Sequence, residues 1–270
     1  MKSRAYPNSE KVIVSMTSFP RAVDYAVKAL GSLLKGNILP DKIVLYLTFS
    51  QFGENGLPEE LLELEKKNPI LEIRDYPDDI RSYTKLVPAL KDFPDAVIVT
   101  VDDDIIYPAN MLEKLLKTHK KVPDAVVSTR TKLINPDRPY KEWKKFRPRH
   151  SLIRRIHKNS LIMQTGVGGV LYPPGSLKEE MLEPSLFLSI APTADDLWFW
   201  AATVANGRMV VPVPFGSSKV NELPKPKEIS LKTVNFKEGR DRNYETFDLI
   251  LKNFPEIREV IKTGYRSRWY

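Results

Sequence analysis

Apolar and β-branched residues along this chain fall into short unbroken runs, separated by longer stretches in which they recur every three or four positions. Lys11 to Met16 (KVIVSM), Lys42 to Phe49 (KIVLYLTF), Ile70 to Arg74 and Ala96 to Val101 (AVIVTV) are too short for helices and rich in strand-favouring residues. Between them, Val23, Ala26, Val27, Leu30, Leu33 and Leu34 keep helical spacing up to Gly36, which predicts a helix over Val23 to Leu34. Pro58 to Lys67 and Thr84 to Leu90 read as short helices, and Met111 to Lys121 as a basic amphipathic one before a strand at Ala125 to Thr129. Continuously apolar strands suit a parallel sheet covered on both faces, and strands alternating with helices predict an α/β fold with a doubly wound sheet. Further on, Pro192 to Gly207 reads as a helix capped by Thr193, and Tyr244 to Ile261 as one helix packing back on the sheet. Lys219 to Lys232, rich in Lys, Glu and proline, reads as a surface loop.

Composition narrows the picture. At 270 residues the chain can bury a full core, and its 42% hydrophobic and 28% charged residues are those of an ordinary globular protein. With no cysteine, disulfides, thiolate metal sites and cysteine nucleophiles are excluded. No apolar run approaches a membrane span and MKSRAYPNSEK lacks a signal-peptide core, so a cytoplasmic location is expected. The net charge of +8 favours anionic partners, among them nucleotides, lipid head groups and nucleic acid.

The chemistry gathers at Ala96 to Pro108, AVIVTVDDDIIYP, where an apolar strand leads into Asp102, Asp103 and Asp104. Ligands of parallel sheets sit at the carboxyl ends of the strands, and three adjacent acids there call for a cation or a ring of donors. In an extended segment Asp102 and Asp104 would face one partner, such as Mg²⁺ or Mn²⁺, with Asp103 facing elsewhere; a solvated acidic turn is the plainer alternative. The first strand–helix turn, MTSFPRA, has neither the glycines of a dinucleotide fold nor a phosphate-binding loop, which argues against hydride transfer and ATP hydrolysis. Arg81-Ser82-Tyr83-Thr84-Lys85 offers two cations and two hydroxyls, either a diphosphate clamp or a surface helix start paired with Asp78 and Asp79. Lys141 to Lys158 carries eight Lys/Arg with Trp143 and Phe146 interleaved. Without a recognisable nucleic-acid module, a loop over an anionic substrate or against an anionic membrane is the preferred reading. Gln164 to Pro174, QTGVGGVLYPP, holds three glycines within four residues, a backbone that can approach a ligand closely or simply turn. Asp195 and Asp196 in TADDLW either complement the helix dipole or include a base for an attacking hydroxyl. The last nine residues, KTGYRSRWY, have a membrane-interface composition, and a frayed terminus explains them equally.

Taken together, VSMTSFP, RSYTKLVPAL, VTVDDDIIYP, GVGGVLYPP and TADDLW resemble, in this order, a bacterial glycosyltransferase of the GT-A fold, of the family-2-like type that builds polysaccharides and surface glycans. The resemblance runs from Lys11 to about Phe247. It implies a mostly parallel central sheet flanked by helices in one domain, with a nucleotide-binding half over about 11–130, an acceptor-binding half over about 131–250 and a tail over 251–270. It implies a nucleotide-sugar donor, a UDP-sugar, against Thr17, Ser18 and Arg21, with Arg81 and Lys85 toward the diphosphate and Asp103 beside them. Asp102 and Asp104 match the family's metal motif for Mn²⁺ or Mg²⁺, Asp104 as direct ligand and Asp102 touching ribose or metal. Gly168 and Gly169 would face the transferred sugar, and Asp195 or Asp196 would stand where inverting members place their base. The acceptor would be a glycan or lipid-linked hydroxyl, with peripheral membrane contact and no nucleic acid. Several members complete the metal shell with a late histidine, whereas this chain has only His119, His150 and His157. A third ligand would therefore be water, phosphate or an oxygen side chain. A nucleotidyltransferase of related fold and a non-catalytic basic module that binds glycan or nucleic acid are the alternatives. The former normally has a glycine-rich first loop, and the latter would tolerate Asp104→Ala.

Overall fold

The computed structural model describes residues 10–146, 161–214, 221–224, 226, 235 and 240–266. Its strands in chain order are β1 (Val12–Thr17), β2 (Lys42–Leu47), β3 (Leu71–Asp75), β4 (Val97–Thr100), β5 (Ile105–Ile106), β6 (Val126–Ser128), β7 (Thr131–Leu133), β8 (Lys145–Phe146), β9 (Ile162–Gln164), β10 (Val170–Tyr172), β11 (Val210–Pro212) and β12 (Asn221–Glu222). Its helices are α1 (Val23–Leu33), α2 (Glu59–Lys67), α3 (Val87–Asp92), α4 (Met111–His119), α5 (Pro184–Ile190), α6 (Asp195–Ala205), α7 (Arg242–Asn253) and α8 (Pro255–Arg266).

A seven-stranded sheet in the order β11-β6-β10-β4-β1-β2-β3 forms the centre, parallel throughout except for β10, which runs against both its neighbours. The α/β class is the one that the alternation of strand and helix patterns predicts, and the sheet is mostly parallel, as the resemblance implies. The pleat divides its side chains between two cores. Val12, Val14, Met16, Val97 and Val99 pack with α1, α2 and α4, while Ile13, Ile98, Tyr172 and Val210 pack with α3, α6, α7 and α8. Burial on both faces is why these strands read as unbroken apolar runs. Helix α6 is covered nearly all round, with Leu197, Trp198, Phe199, Trp200, Ala201 and Ala202 each at most 1% exposed, so its sequence shows little amphipathic periodicity. A second, three-stranded antiparallel sheet, β8-β7-β9, and a two-stranded ribbon, β12-β5, flank the same end of the main sheet.

Several expected boundaries move. The segment expected as one helix over Thr84 to Leu90 is a 3-10 helix, Arg81–Lys85, followed by α3, because Pro88 suits the start of a helix rather than its interior. The single helix expected over Tyr244 to Ile261 is two, α7 and α8, broken at Phe254, where Pro255 supplies no N–H and steers the preceding residue away from helical geometry. Thr193 does not cap α6: Ala194 is the cap residue, and the Thr193 hydroxyl is instead 2.7 Å from Asn235 Oδ1. Asn221–Glu222, expected within a surface loop over Lys219 to Lys232, instead form β12; most of the rest of that segment, most of the basic run over Lys141 to Lys158 and the last four residues lie outside the described residues.

Candidate active site

Strands β1 and β4 lie side by side and parallel, so the turns after them open at the same edge of the sheet. The first carries Thr17, Ser18 and Arg21, the second the three acids. Strand β4 ends at Thr100 and Asp103 and Asp104 occupy a tight turn, so the alternation of an extended segment does not govern where the carboxylates point. Asp103 is buried and takes a 2.6 Å hydrogen bond from the Ser18 hydroxyl, tying the two turns together. Asp102 faces another way, and its Oδ1 is 2.9 Å from the Lys85 ammonium. The Asp102 backbone is held by the buried Tyr107 phenol, which accepts from its N–H at 2.7 Å and donates to its carbonyl at 3.3 Å. Asp104 is partly exposed, and its backbone carbonyl accepts from Leu223 N–H beside the β12-β5 ribbon. Thr17 is turned toward the sheet, donating to the Tyr46 carbonyl at 3.0 Å, while Arg21 is exposed.

Lys85 is the centre of this arrangement. Its side chain is 9% exposed and its Nζ lies 2.9 Å from Asp102 on one side and 2.9 Å from Asp195 Oδ2, at the first turn of α6, on the other. Burial works against the ammonium, but Asp102, Asp195 and Asp196 outweigh it and hold the lysine protonated far above its ordinary range. Asp196 accepts a 2.9 Å hydrogen bond from Gly166 N–H, and Gln164 Nε2 donates to its backbone carbonyl at 3.2 Å. Burial, reinforced by the charge of Asp195, pushes the Asp196 carboxyl up to about 7, while Lys85 and the Gly166 N–H pull it down and Asp102 adds to the rise.

The glycines divide their work differently from the expectation. A Cβ on Gly166 would lie 2.9 Å from Lys85 Nζ and 3.1 Å from Asp102 Oδ1, so this bare backbone is what lets β9 and its turn close onto the acids. Gly168 and Gly169 turn at φ 98° and 100°, and a Cβ on Gly169 would meet Met111 Sδ at 2.9 Å, which puts its missing side chain against α4. Arg81 is exposed and takes φ 58°, the one non-glycine at positive φ among the described residues; its Nη1 donates to the Pro192 carbonyl at 3.3 Å. The 3-10 helix is thereby linked to the loop that leads into Asp195 and Asp196.

Lys85, Asp102, Asp195 and Asp196, singled out in three separate segments of sequence, thus converge at one point. Sequence reasoning missed Gly166, Tyr107 and Gln164, as well as Tyr140, whose phenol feels the charges of both Asp196 and Arg130. For Gly166 a signal existed, since it opens the same glycine run. For the others nothing in the local pattern marks them. Among the described residues no three acids or histidines converge as a ligand set for a metal ion. His119 is buried in α4 with Nε2 3.5 Å from Glu10, outside this cluster.

No family model and no curated protein matches the sequence. Among solved structures, the mannosyltransferase PcManGT from Pyrobaculum calidifontis, in complex with GDP-Man and Mn²⁺, is similar over 97% of this chain and 75% of that one, with 14% identity and a TM-score of 0.52. GalNAc-T7 with UDP, GalNAc and Mn²⁺ is similar over 93% of this chain, with 11% identity and a TM-score of 0.56; the chain spans 50% of that protein's length. A 4-diphosphocytidyl-2C-methyl-D-erythritol synthase overlays with 11% identity and a TM-score of 0.47. The fold is a single mixed α/β domain of the GT-A, Rossmann-like type.

Proposed function

We propose that this protein is a glycosyltransferase that moves a sugar from a nucleotide sugar, a UDP-sugar by preference, to a hydroxyl of a glycan or lipid-linked acceptor. The observation that carries the reading is the convergence of Lys85, Asp102, Asp195 and Asp196 on Gly166 at the carboxyl edge of β4, beside the turn that follows β1. Two proteins of similar fold, solved with GDP-Man and Mn²⁺ and with UDP, GalNAc and Mn²⁺, lend it support. Synthesis of polysaccharide or surface glycan at the inner face of a membrane is the setting this reading proposes.

In this proposal Thr17, Ser18, Asp103 and Arg21 receive the nucleoside, with the Ser18–Asp103 bond fixing the floor. Arg81 and Lys85 receive the diphosphate. As the C1–O bond to the diphosphate breaks, negative charge grows on the departing oxygens, and cations placed beforehand stabilise it without reorganising. Lys85 is already held in place by two carboxylates, so its charge is fixed where it is needed. Asp196 is the base: it takes the proton from the acceptor hydroxyl as that oxygen attacks C1, and its raised affinity for protons suits it to the task. Asp195, paired with Lys85, positions the ammonium.

The donor set fits a divalent ion only in part. Asp102 already holds the Lys85 ammonium, which leaves the partly exposed Asp104 as the carboxylate best able to share a Mn²⁺ or Mg²⁺ with diphosphate oxygens. Such an ion would supply positive charge to the leaving diphosphate.

Calorimetric titration of UDP and of GDP, each with and without Mn²⁺, into the protein and its Asp104→Ala variant tests the reading. Nucleotide binding that strengthens with Mn²⁺ and loses that gain in Asp104→Ala is expected. Absence of binding by both nucleotides in every condition would overturn it.

A further inference from the structure

Beyond the acids, the same end of the molecule holds a pair of cations that the proposed reaction does not use. Arg130 immediately precedes β7 and Lys132 lies within it, close enough that the guanidinium bears on the ammonium. Lys132 Nζ sits 3.5 Å from the centroid of the Tyr140 ring and donates to the Tyr140 carbonyl at 3.2 Å. Among the described residues no carboxylate comes within ion-pair distance of it. Arg130 Nη1 has one distant partner, Glu222 Oε1 at 3.6 Å, whose side chain is 61% exposed. The platform beneath is firm: Tyr140 packs at 5.0 Å on the buried Trp143, whose Nε1 donates to the Arg138 carbonyl and whose ring meets Phe247 edge-on.

A lysine side chain ordinarily carries its ammonium out to water. Here burial and the like charge of Arg130 lower the ammonium to about 8, with Lys145 acting in the same sense and Asp241 and Asp196 in the opposite one. Asp241 is itself engaged, since its carboxylate caps α7 by accepting from Tyr244 N–H and accepts from Lys141 N–H as well. Asp196 also bears on the Tyr140 phenol more than any other charge does, which places the ring and the base in one neighbourhood. Two cations kept close together, one of them largely out of water on an aromatic face, are stabilised by an oxyanion and gain nothing from a neutral hydroxyl.

We propose that Arg130, Lys132 and the ring of Tyr140 form the selective part of the acceptor subsite, and that the acceptor carries an anionic group, a sugar carboxylate or a phosphate ester, close to its reacting hydroxyl. The proposal rests on the glycosyltransferase reading for the word acceptor, and on the cation pair for the charge. A bracing role for Lys132, holding Tyr140 in place and binding nothing, is the competing account.

The test titrates methyl β-D-glucuronide, glucose 6-phosphate and neutral methyl β-D-glucoside into the full chain without donor, and separately titrates UDP with Mn²⁺. One or both anionic probes should bind at least about tenfold more tightly than the neutral glycoside, the size of one lost charge-assisted hydrogen bond. Whichever anion binds identifies carboxylate or phosphate as its source. Lys132→Met should remove that preference and leave UDP binding unchanged, and Lys132→Arg, which keeps the charge, should retain it. Equal affinity for charged and neutral probes, no binding of either anionic probe, or an anion preference that survives Lys132→Met would overturn the proposal. Binding of an anionic probe in a protein that binds no nucleotide would sink the donor reading and spare the cation pair; the reverse pattern would do the opposite.

Discussion

Replacing Lys85 by Met removes the one ammonium between Asp102 and Asp195 while keeping most of the side-chain volume. At 2.9 Å each carboxylate interacts with the ammonium by roughly 6 kcal/mol if an effective dielectric constant of about 20 applies. Desolvation of the buried lysine offsets much of that sum, and breaking a buried pair from one side is expected to cost about 3–5 kcal/mol. The loss also has a pH signature. Carboxylates left together without their cation hold protons more tightly in the folded state than in the unfolded one, which lowers stability as pH rises. The deficit of Lys85→Met relative to wild type should therefore be full near pH 8 and shrink toward pH 5. Urea unfolding at both pH values measures it as a shift in midpoint at unchanged slope. Adding Asp195→Asn should restore part of the loss, because one of the stranded charges goes with it. A cost below about 1 kcal/mol that is the same at both pH values would show that Lys85 is not holding these acids and refute the reasoning.

Asp196→Asn should keep the hydrogen bond from Gly166 N–H, preserve nucleotide binding and abolish sugar transfer, which separate binding and turnover assays resolve. Because the Asp196 carboxyl stands near 7 in the folded protein, above its unfolded value, it lowers stability as pH rises between about 4 and 7; the variant should lose that slope and gain on the order of 4 kcal/mol at pH 8. In the wild type the same group should give a transfer rate that climbs with pH through about 7 as the base becomes ionised, seen in a pH–rate profile. Arg81→Gly relieves a side chain held at φ 58° and should leave stability unchanged or raise it by up to about 1 kcal/mol, while weakening nucleotide diphosphate binding; thermal melts and calorimetry together would expose the opposite signs.

The acid triplet and the acid pair were legible because each stands out against its own local pattern: Asp102 to Asp104 interrupt an apolar strand, and Asp195 and Asp196 open an apolar helix. Lys85 was legible as a cation before a helix, yet RSYTK gives no sign that its lysine is buried. The alternative partners Asp78 and Asp79 are near in sequence, whereas the actual ones are 17 and 110 positions away. Adjacent glycines such as Gly168 and Gly169 advertise a turn. A glycine kept bare by what lies opposite it advertises nothing. The break at Pro255 could have been read from the proline itself.

Hydrophobic periodicity by itself determined the α/β class, five of the seven strands of the main sheet and the edge at which the acids emerge, since burial of a strand on two faces, or of a helix on one, leaves its mark within a few neighbouring residues. Only the tertiary structure decided which partners the acids find, Asp102 and Asp195 at Lys85, Asp103 at Ser18 and Asp196 at Gly166 N–H, and that the Arg130 charge bears on Lys132. Those outcomes depend on which distant segments share a few ångströms of buried space, and a charge reports its partners only once the chain has closed around it.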